Sequence, residues 1–317
     1  MKVGILLLNM CFPVLAGLVM LLGKREYTEK ELAGRSLTAM VIAACFLVWN
    51  LTGDPLSLHL CSLGKDLPVY FHVDAIGKLF ASVVTLVWIL AICFAGEYMK
   101  KEQDQKRFFG FFLIVYGVLM GLCYAGNLIT FYLFYEMMTL TTVPLVLHTR
   151  TREAITAGMK YLLYSLSGAY LVLFSTYMLN RYTTSLDFTP GGTLDLAAAE
   201  GHTTLILVCA CLMILGFGVK AGMFPMHGWL STAHPVAPAP ASAVLSGVIV
   251  KMGVLGAIRV VYEIIGPEVI RGTWVQTVWL TLSLITVFMG SMLAYREKIL
   301  KKRLAYSTVS QISYILF

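Results

Sequence analysis

Apolar runs long enough to cross a bilayer recur along this chain. They fall near residues 3–22, 37–52, 76–95, 109–125, 128–147, 158–180, 203–233, 241–263, 274–294 and from 304 to the end, with short polar segments between them. A span needs about 20 residues to cross roughly 30 Å of hydrocarbon, and backbone groups in lipid must be satisfied within the segment. Each run therefore predicts a helix. The expected fold class is all-α, a polytopic membrane helix bundle of about ten transmembrane helices. Only Gly126 and Asn127 separate the fourth and fifth runs, which predicts a tight helical hairpin.

The seventh run breaks the pattern. As one continuous helix, residues 203–233 would extend about 46 Å, well beyond the hydrocarbon. Inside the run lies Gly222-Met223-Phe224-Pro225. It pairs a residue of wide backbone freedom, Gly222, with one that has no backbone N–H, Pro225, and so predicts a broken seventh helix. A break at that depth needs protein or water to satisfy the freed backbone groups, which points to a polar interior there. Pro235, Pro238 and Pro240 follow within six residues and predict a stiff, non-helical connector into the eighth span.

Composition agrees with a lipid environment: of 317 residues, 58% are hydrophobic and 13% charged, with a mean hydropathy of +0.79. A soluble domain needs more polar surface than this. The net charge of +7 does not imply nucleic acid, because the basic residues sit in short loops between apolar runs. With the N-terminus outside, the inner loops hold Lys24, Arg25, Lys30, Arg35, Lys100, Lys101, Lys106, Arg107, Arg150, Arg152, Arg296, Lys298, Lys301, Lys302 and Arg303. The outer side holds only Lys2, Lys65, Arg181 and Arg271. This asymmetry sets the orientation. The first run is too long for a signal-peptide core and is followed by basic residues, so it is expected to stay as a spanning helix. Six of the seven cysteines (Cys11, Cys45, Cys93, Cys123, Cys209 and Cys211) lie in apolar runs with no ligand spacing, and are expected as small packing residues.

The costly residues are the ionisable ones inside spans. Glu136, Lys220 and Lys251 lie near the middle of the fifth, seventh and eighth runs, at similar depth. A charge there costs about 2.5–3.5 kcal/mol on insertion scales, so each needs a partner, water or a function. Glu136 and Lys220 admit two readings: a structural ion pair between helices, or a proton-carrying pair. Lys251 is too deep to snorkel easily. Lys160, at the inner edge of the sixth run, is placed where snorkelling is easy. His227 and His234 flank the break and are candidates for hydrogen-bonded structural groups or for relays. Arg259 and Glu263, four residues apart at the outer end of the eighth run, are expected as a helical surface pair. No phosphate loop, metal-ligand cluster or nucleophile–base arrangement is present, and no loop could hold a catalytic domain. The expectation is no cofactor in this chain and no chemistry of its own beyond proton exchange.

Several segments together resemble the antiporter-like proton-conducting subunits of respiratory complex I, membrane-bound hydrogenases and multisubunit sodium/proton antiporters. The fifth-helix segment is Asn127-Leu128 through Phe134-Tyr135-Glu136-Met137-Met138-Thr139-Leu140. The broken seventh helix is Gly216 through Leu230, containing Lys220 and Gly222-Met223-Phe224-Pro225-Met226-His227. The eighth matches at His234-Pro235, Ala237-Pro238, Ser242, Leu245-Ser246-Gly247 and Lys251-Met252-Gly253. The start of the tenth matches at Lys302 through Gln311.

The resemblance runs from about residue 70 to the end. It implies that Glu136 and Lys220 form a modulating pair and that Lys251 and His234 relay protons, with His227 and Lys160 as further proton-transfer candidates. It also implies three regions: spanning helices and an inner loop over 1–108, a complete five-helix repeat over 109–263, and the truncated start of a second, inverted repeat over 264–317. Such a subunit would sit in the cytoplasmic membrane beside other membrane subunits of a redox complex and translocate protons. A cation/proton antiporter subunit and a non-conducting scaffold are the alternatives. The run Ile312–Phe317 ends apolar, so a truncated record or a split subunit is also expected.

Overall fold

The computed structural model describes residues 2–25, 27–53, 56–64 and 67–317, and for Lys2 and Val3 the backbone alone. Lys65 and the Lys2 side chain, counted above among the outer charges, lie outside the described residues. The chain divides into two compact units. One comprises Met1–Gly158 with Val236–Val248, and the other Met159–Pro235 with Ile249–Phe317.

The first unit is organised around a buried helix. In chain order it holds α1 (Lys2–Leu22), α2 (Glu29–Thr52), a hairpin of β1 (Ser57–Ser62) and β2 (Pro68–His72), α3 (Ala75–Tyr98), α4 (Gln105–Cys123) and α5 (Leu128–Val146). Helix α4 is apolar all round from Phe108 to Cys123 and buried there except at the half-buried Phe111; α1, α2, α3 and α5 pack on it. Trp88 of α3 donates to the Phe112 carbonyl at 3.1 Å, and Thr85 meets Tyr116 Oη at 2.9 Å. Helix α2 begins at Glu29, two turns before the apolar run. Thr28 and Glu31 close a capping box there, with Glu31 N–H on Thr28 Oγ1 at 3.3 Å and Thr28 N–H on Glu31 Oε2 at 3.0 Å.

The tight turn expected at Gly126-Asn127 is present: Asn127 Oδ1 accepts the Thr130 N–H at 2.8 Å and caps α5. The β-hairpin was not foreseen. It docks on this turn through His72 N–H to Tyr124 O at 2.7 Å, Gly126 N–H to Tyr70 O at 3.1 Å and Asn127 Nδ2 to Pro68 O at 2.7 Å.

Helix α6 (Arg152–Leu179) runs into the second unit. There follow α7 (Leu196–Ala199), α8 (Thr203–Ala221), α9 (Leu230–Val236), α10 (Ala239–Val244, in the first unit), α11 (Lys251–Arg259), α12 (Pro267–Ile270), α13 (Trp274–Arg296) and α14 (Leu300–Leu316). Helices α6 and α8 cross backbone to backbone: a Cβ on Gly168 would lie 2.6 Å from Gly216 O. Two π-helical turns, Leu245–Ile249 and Val260–Ile265, flank α11, so that one 27-residue span runs from Ala239 to Ile265. Among the described residues nine helices are long and apolar enough to cross a membrane. The tenth, α14, starts at Leu300 rather than Leu304, taking Lys301, Lys302 and Arg303 into its first turns.

The proline-rich connector differs from expectation. Pro235 lies inside α9 and Pro240 inside α10, leaving only Ala237 and Pro238 outside a helix. Pro240 sits in the first turn of α10, where the missing N–H would have no intrahelical partner in any case. Pro235 is the penultimate residue of a seven-residue helix, so it removes a single hydrogen bond.

Candidate functional site

The break after α8 has a defined construction. Gly222 adopts φ +81°, a left-handed conformation that glycine takes without strain, and ends the helix. Gly222 N–H and Met223 N–H turn back onto Val219 O and Gly218 O at 3.2 and 2.8 Å. The following residues to Trp229 form turns, with a cis peptide bond at Phe224-Pro225. Polar groups freed by the break find partners within the protein. Trp229 Nε1 donates to Val219 O at 2.9 Å, and Phe224 N–H donates to Thr286 Oγ1 of α13 at 2.9 Å. The seventh span is thus broken at the Gly222–Pro225 signal, inside protein.

Lys220 occupies the last turn of α8, fully buried. Its Nζ donates to Tyr161 Oη at 2.8 Å and to Ser165 Oγ at 3.2 Å, and lies 4.5 Å from the Tyr161 ring centre. Tyr161 and Ser165 are one turn apart on the same face of α6 and are themselves buried. Two neutral hydroxyls and a ring face stabilise an ammonium group there. A Cβ on Gly253 of α11 would lie 2.5 Å from Phe217 O and 3.2 Å from Lys220 Cβ, so the absence of a side chain at 253 lets α11 close over the lysine stem.

The other expected residues are distributed as follows. Lys251 is the first residue of α11, two residues after the end of a π-helical turn and half-buried; such turns are often found at functional sites. His234, in α9, is buried. The neighbouring Pro235 carbonyl accepts from Lys301 Nζ of α14 at 3.5 Å. His227 lies in the broken segment, half-buried and 6.2 Å from the Phe224 ring, with its Nδ1 buried and lacking a hydrogen-bond partner among the described residues. Lys160 is half-buried next to the same segment, its Nζ 3.6 Å from where a Gly228 Cβ would stand. The second unit thus brings Lys160, Lys220, His227, His234 and Lys251 onto α6, α8, α9, α11 and the break. Glu136 belongs to the first unit, half-buried midway along α5, with Oε1 buried. Among the described residues no three His, Cys, Asp or Glu side chains gather as a metal site would need.

Three partners were not anticipated. Tyr161 and Ser165 carry a sequence signal, polar residues four apart in an apolar span next to Lys160. Lys301 was counted only as a loop charge. One expectation is overturned: Arg259 and Glu263 form a buried pair, Nη1 to Oε2 2.7 Å, with side chains 1% and 6% exposed. Phe188 covers the guanidinium at 4.7 Å. The loop carrying Phe188 donates Thr189, Gly191 and Thr193 N–H groups to the carbonyls of Glu263, Tyr262 and Ile264 at 3.3, 2.9 and 2.9 Å. The π-helical turn leaves carbonyls that this loop satisfies, and in doing so the loop buries the pair.

Residues 125–317 match the family model for "NADH:quinone oxidoreductase/Mrp antiporter, TM". The chain belongs to this family. Residues 61–109 match a second model, the N-terminus of chain 5 of NADH-ubiquinone oxidoreductase (complex I). Similar curated proteins include Hydrogenase-4 component B of Escherichia coli (strain K12), 30% identical over 77% of this chain and 36% of that protein. They also include NADH-quinone oxidoreductase subunit N of Desulforudis audaxviator, 25% identical over 92% of this chain and 58% of that protein. The chain therefore spans between about a third and three fifths of the length of these relatives. Among solved structures, a chain of an archaeal membrane-bound sulfane sulfur reductase shares the fold, with TM-score 0.82 and 19% identity over 98% of this chain and 63% of that one. As a member of the NADH:quinone oxidoreductase/Mrp antiporter family, the protein is a multi-pass membrane protein.

Proposed function

We propose that this protein translocates protons as an antiporter-like membrane subunit of a respiratory or hydrogenase-type redox complex. Glu136 on α5 and Lys220 on α8 carry the protons, and Lys251, His234, His227 and Lys160 extend the relay. The observation that carries the reading is Lys220, a fully buried lysine at a helix break, held by two neutral hydroxyls. A lysine in a low-dielectric site can release and regain its proton with modest changes in the groups around it. A scaffold needs neither the break nor the buried ammonium group. The partners in this reading are other membrane subunits in the cytoplasmic membrane, and the N-terminus faces outward, as the basic loops favour. Family membership also supports a second reading, a subunit of a sodium/proton antiporter.

The test is proton pumping by the assembled complex in sealed vesicles. Lys220→Met and Glu136→Gln should each sharply reduce pumping while the complex still assembles. Normal pumping by assembled variants would sink the proposal. Sodium-dependent proton exchange without an electron donor favours the antiporter reading.

A further inference from the structure

We propose that the groove between α1 and α2 binds one anionic phospholipid, with its acyl chain along the apolar slot and its phosphate at Arg35. The slot has a volume of about 440 Å³, within the ~300–1,000 Å³ typical of small-molecule sites. Phe12, Ala16 and Val19 line it from α1, Ile42 from α2, and Leu113 of α4 closes its floor. The slot exists because small residues face it. A Cβ on Gly34 would meet nothing within 4 Å, and Ala16 and Ala39 add little bulk. A helix is about 10–12 Å across with its side chains, too wide for a slot between adjacent helices, whereas a single acyl chain suits it.

The mouth is chemically different. Tyr27 stands there with three cations around its ring: Arg35 at 4.8 Å, Arg25 at 5.6 Å and Lys106 at 6.0 Å. Among the described residues the one carboxylate lining the slot, Glu31, is already engaged. Its Oε1 pairs with Arg25 at 3.2 Å and its Oε2 accepts the Thr28 N–H at 3.0 Å. Lys106 Nζ donates to Gly23 O at 2.5 Å, which holds its charge at the mouth. Arg35 is exposed; it acts on Glu31 through space but forms no ion pair within 4.0 Å among the described residues, which leaves its guanidinium open to a phosphate. An apolar slot that ends in surplus positive charge at a basic membrane face matches both ends of an anionic lipid. A choline headgroup would bring its own cation against Arg35.

The test uses the full-length protein purified with its native partners and reconstituted in phosphatidylcholine vesicles. A few percent of phosphatidylglycerol carrying a photoreactive acyl chain is added, and the labelled peptides are mapped. Label should concentrate on the groove residues of α1 and α2. Phosphatidylcholine with the same reactive chain should label them roughly fivefold less, and Arg35→Ala should lower the anionic labelling by a similar factor. Gly34→Leu fills the slot, keeps every charge at the mouth, and should remove groove labelling by both probes. Equal labelling by the two headgroups, or no effect of Arg35→Ala, overturns the proposal. Absence of groove labelling in the wild type means that a neighbouring protein covers the slot, and overturns it as well. Unchanged heat stability of the two variants separates loss of binding from loss of fold.

Discussion

Lys220 donates to Tyr161 Oη at 2.8 Å while its Nζ stands 4.5 Å from the centre of the same ring, so one side chain offers the ammonium group both an acceptor and a π face. Tyr161→Phe keeps the ring and deletes the acceptor. A hydrogen bond to a charged group is worth about 1.5–3 kcal/mol, so the substitution weakens the charged lysine without emptying the site. The expected outcome is an assembled complex with clearly lowered proton pumping. Ser165→Ala, which removes the longer contact at 3.2 Å, should have the smaller effect. Pumping assays on vesicles matched for subunit content decide it.

The Arg259–Glu263 pair leads to a prediction about stability. Arg259→Met leaves a buried carboxylate without the guanidinium 2.7 Å away and should cost about 3–5 kcal/mol. The double variant Arg259→Met/Glu263→Leu removes both charges and should recover most of that loss. Thermal unfolding in detergent, followed by size-exclusion chromatography, compares the three proteins. A double variant as unstable as the single one would show that the pair itself, rather than the orphaned charge, holds the loop.

His148, in the loop between α5 and α6, is 4% exposed, and its Nε2 donates to Gln103 O at 3.0 Å in the tautomer that this contact assigns. Burial pushes its pKa below the ordinary 6.5, the Gln103 hydrogen bond partly opposes the shift, and the Arg107 charge adds to it. Arg107 also donates to the His148 carbonyl, and Asp104 pairs with Arg150 at 3.1 Å. The unfolded chain therefore binds more protons here than the folded one, and stability rises with pH. The contribution is present above pH 6.5 and is lost as pH falls through the lowered folded value. Melting temperatures measured from pH 8 to pH 5 should fall on acidification, and His148→Gln should flatten the slope.

Topology is tested at Gln103, in the basic segment between α3 and α4. Lys100, Lys101, Lys106 and Arg107 cluster there, so Gln103→Cys should resist an impermeant thiol reagent added outside sealed cells. Permeabilised cells should label readily. Strong labelling from outside would reverse the orientation.

The sequence alone determined the order of the spans, the tight α4–α5 turn and the break at Gly222–Pro225, and it marked Glu136, Lys220 and Lys251 as ionisable residues within apolar runs. Those features rest on local quantities: apolar run length against hydrocarbon thickness, a missing N–H at proline, and the cost of a charge in lipid. Tertiary structure alone decided what each charge meets. Lys220 finds Tyr161 and Ser165 at separations of 59 and 55 residues. Arg259 and Glu263 read as a surface pair by spacing, and became buried because a loop some seventy residues earlier satisfies the Tyr262, Glu263 and Ile264 carbonyls. The β-hairpin on the α4–α5 turn and the π-helical turns flanking α11 belong to the same class. Hydropathy reads how a residue partitions between water and lipid, whereas the partner of a buried polar group is chosen by packing between segments far apart in the chain.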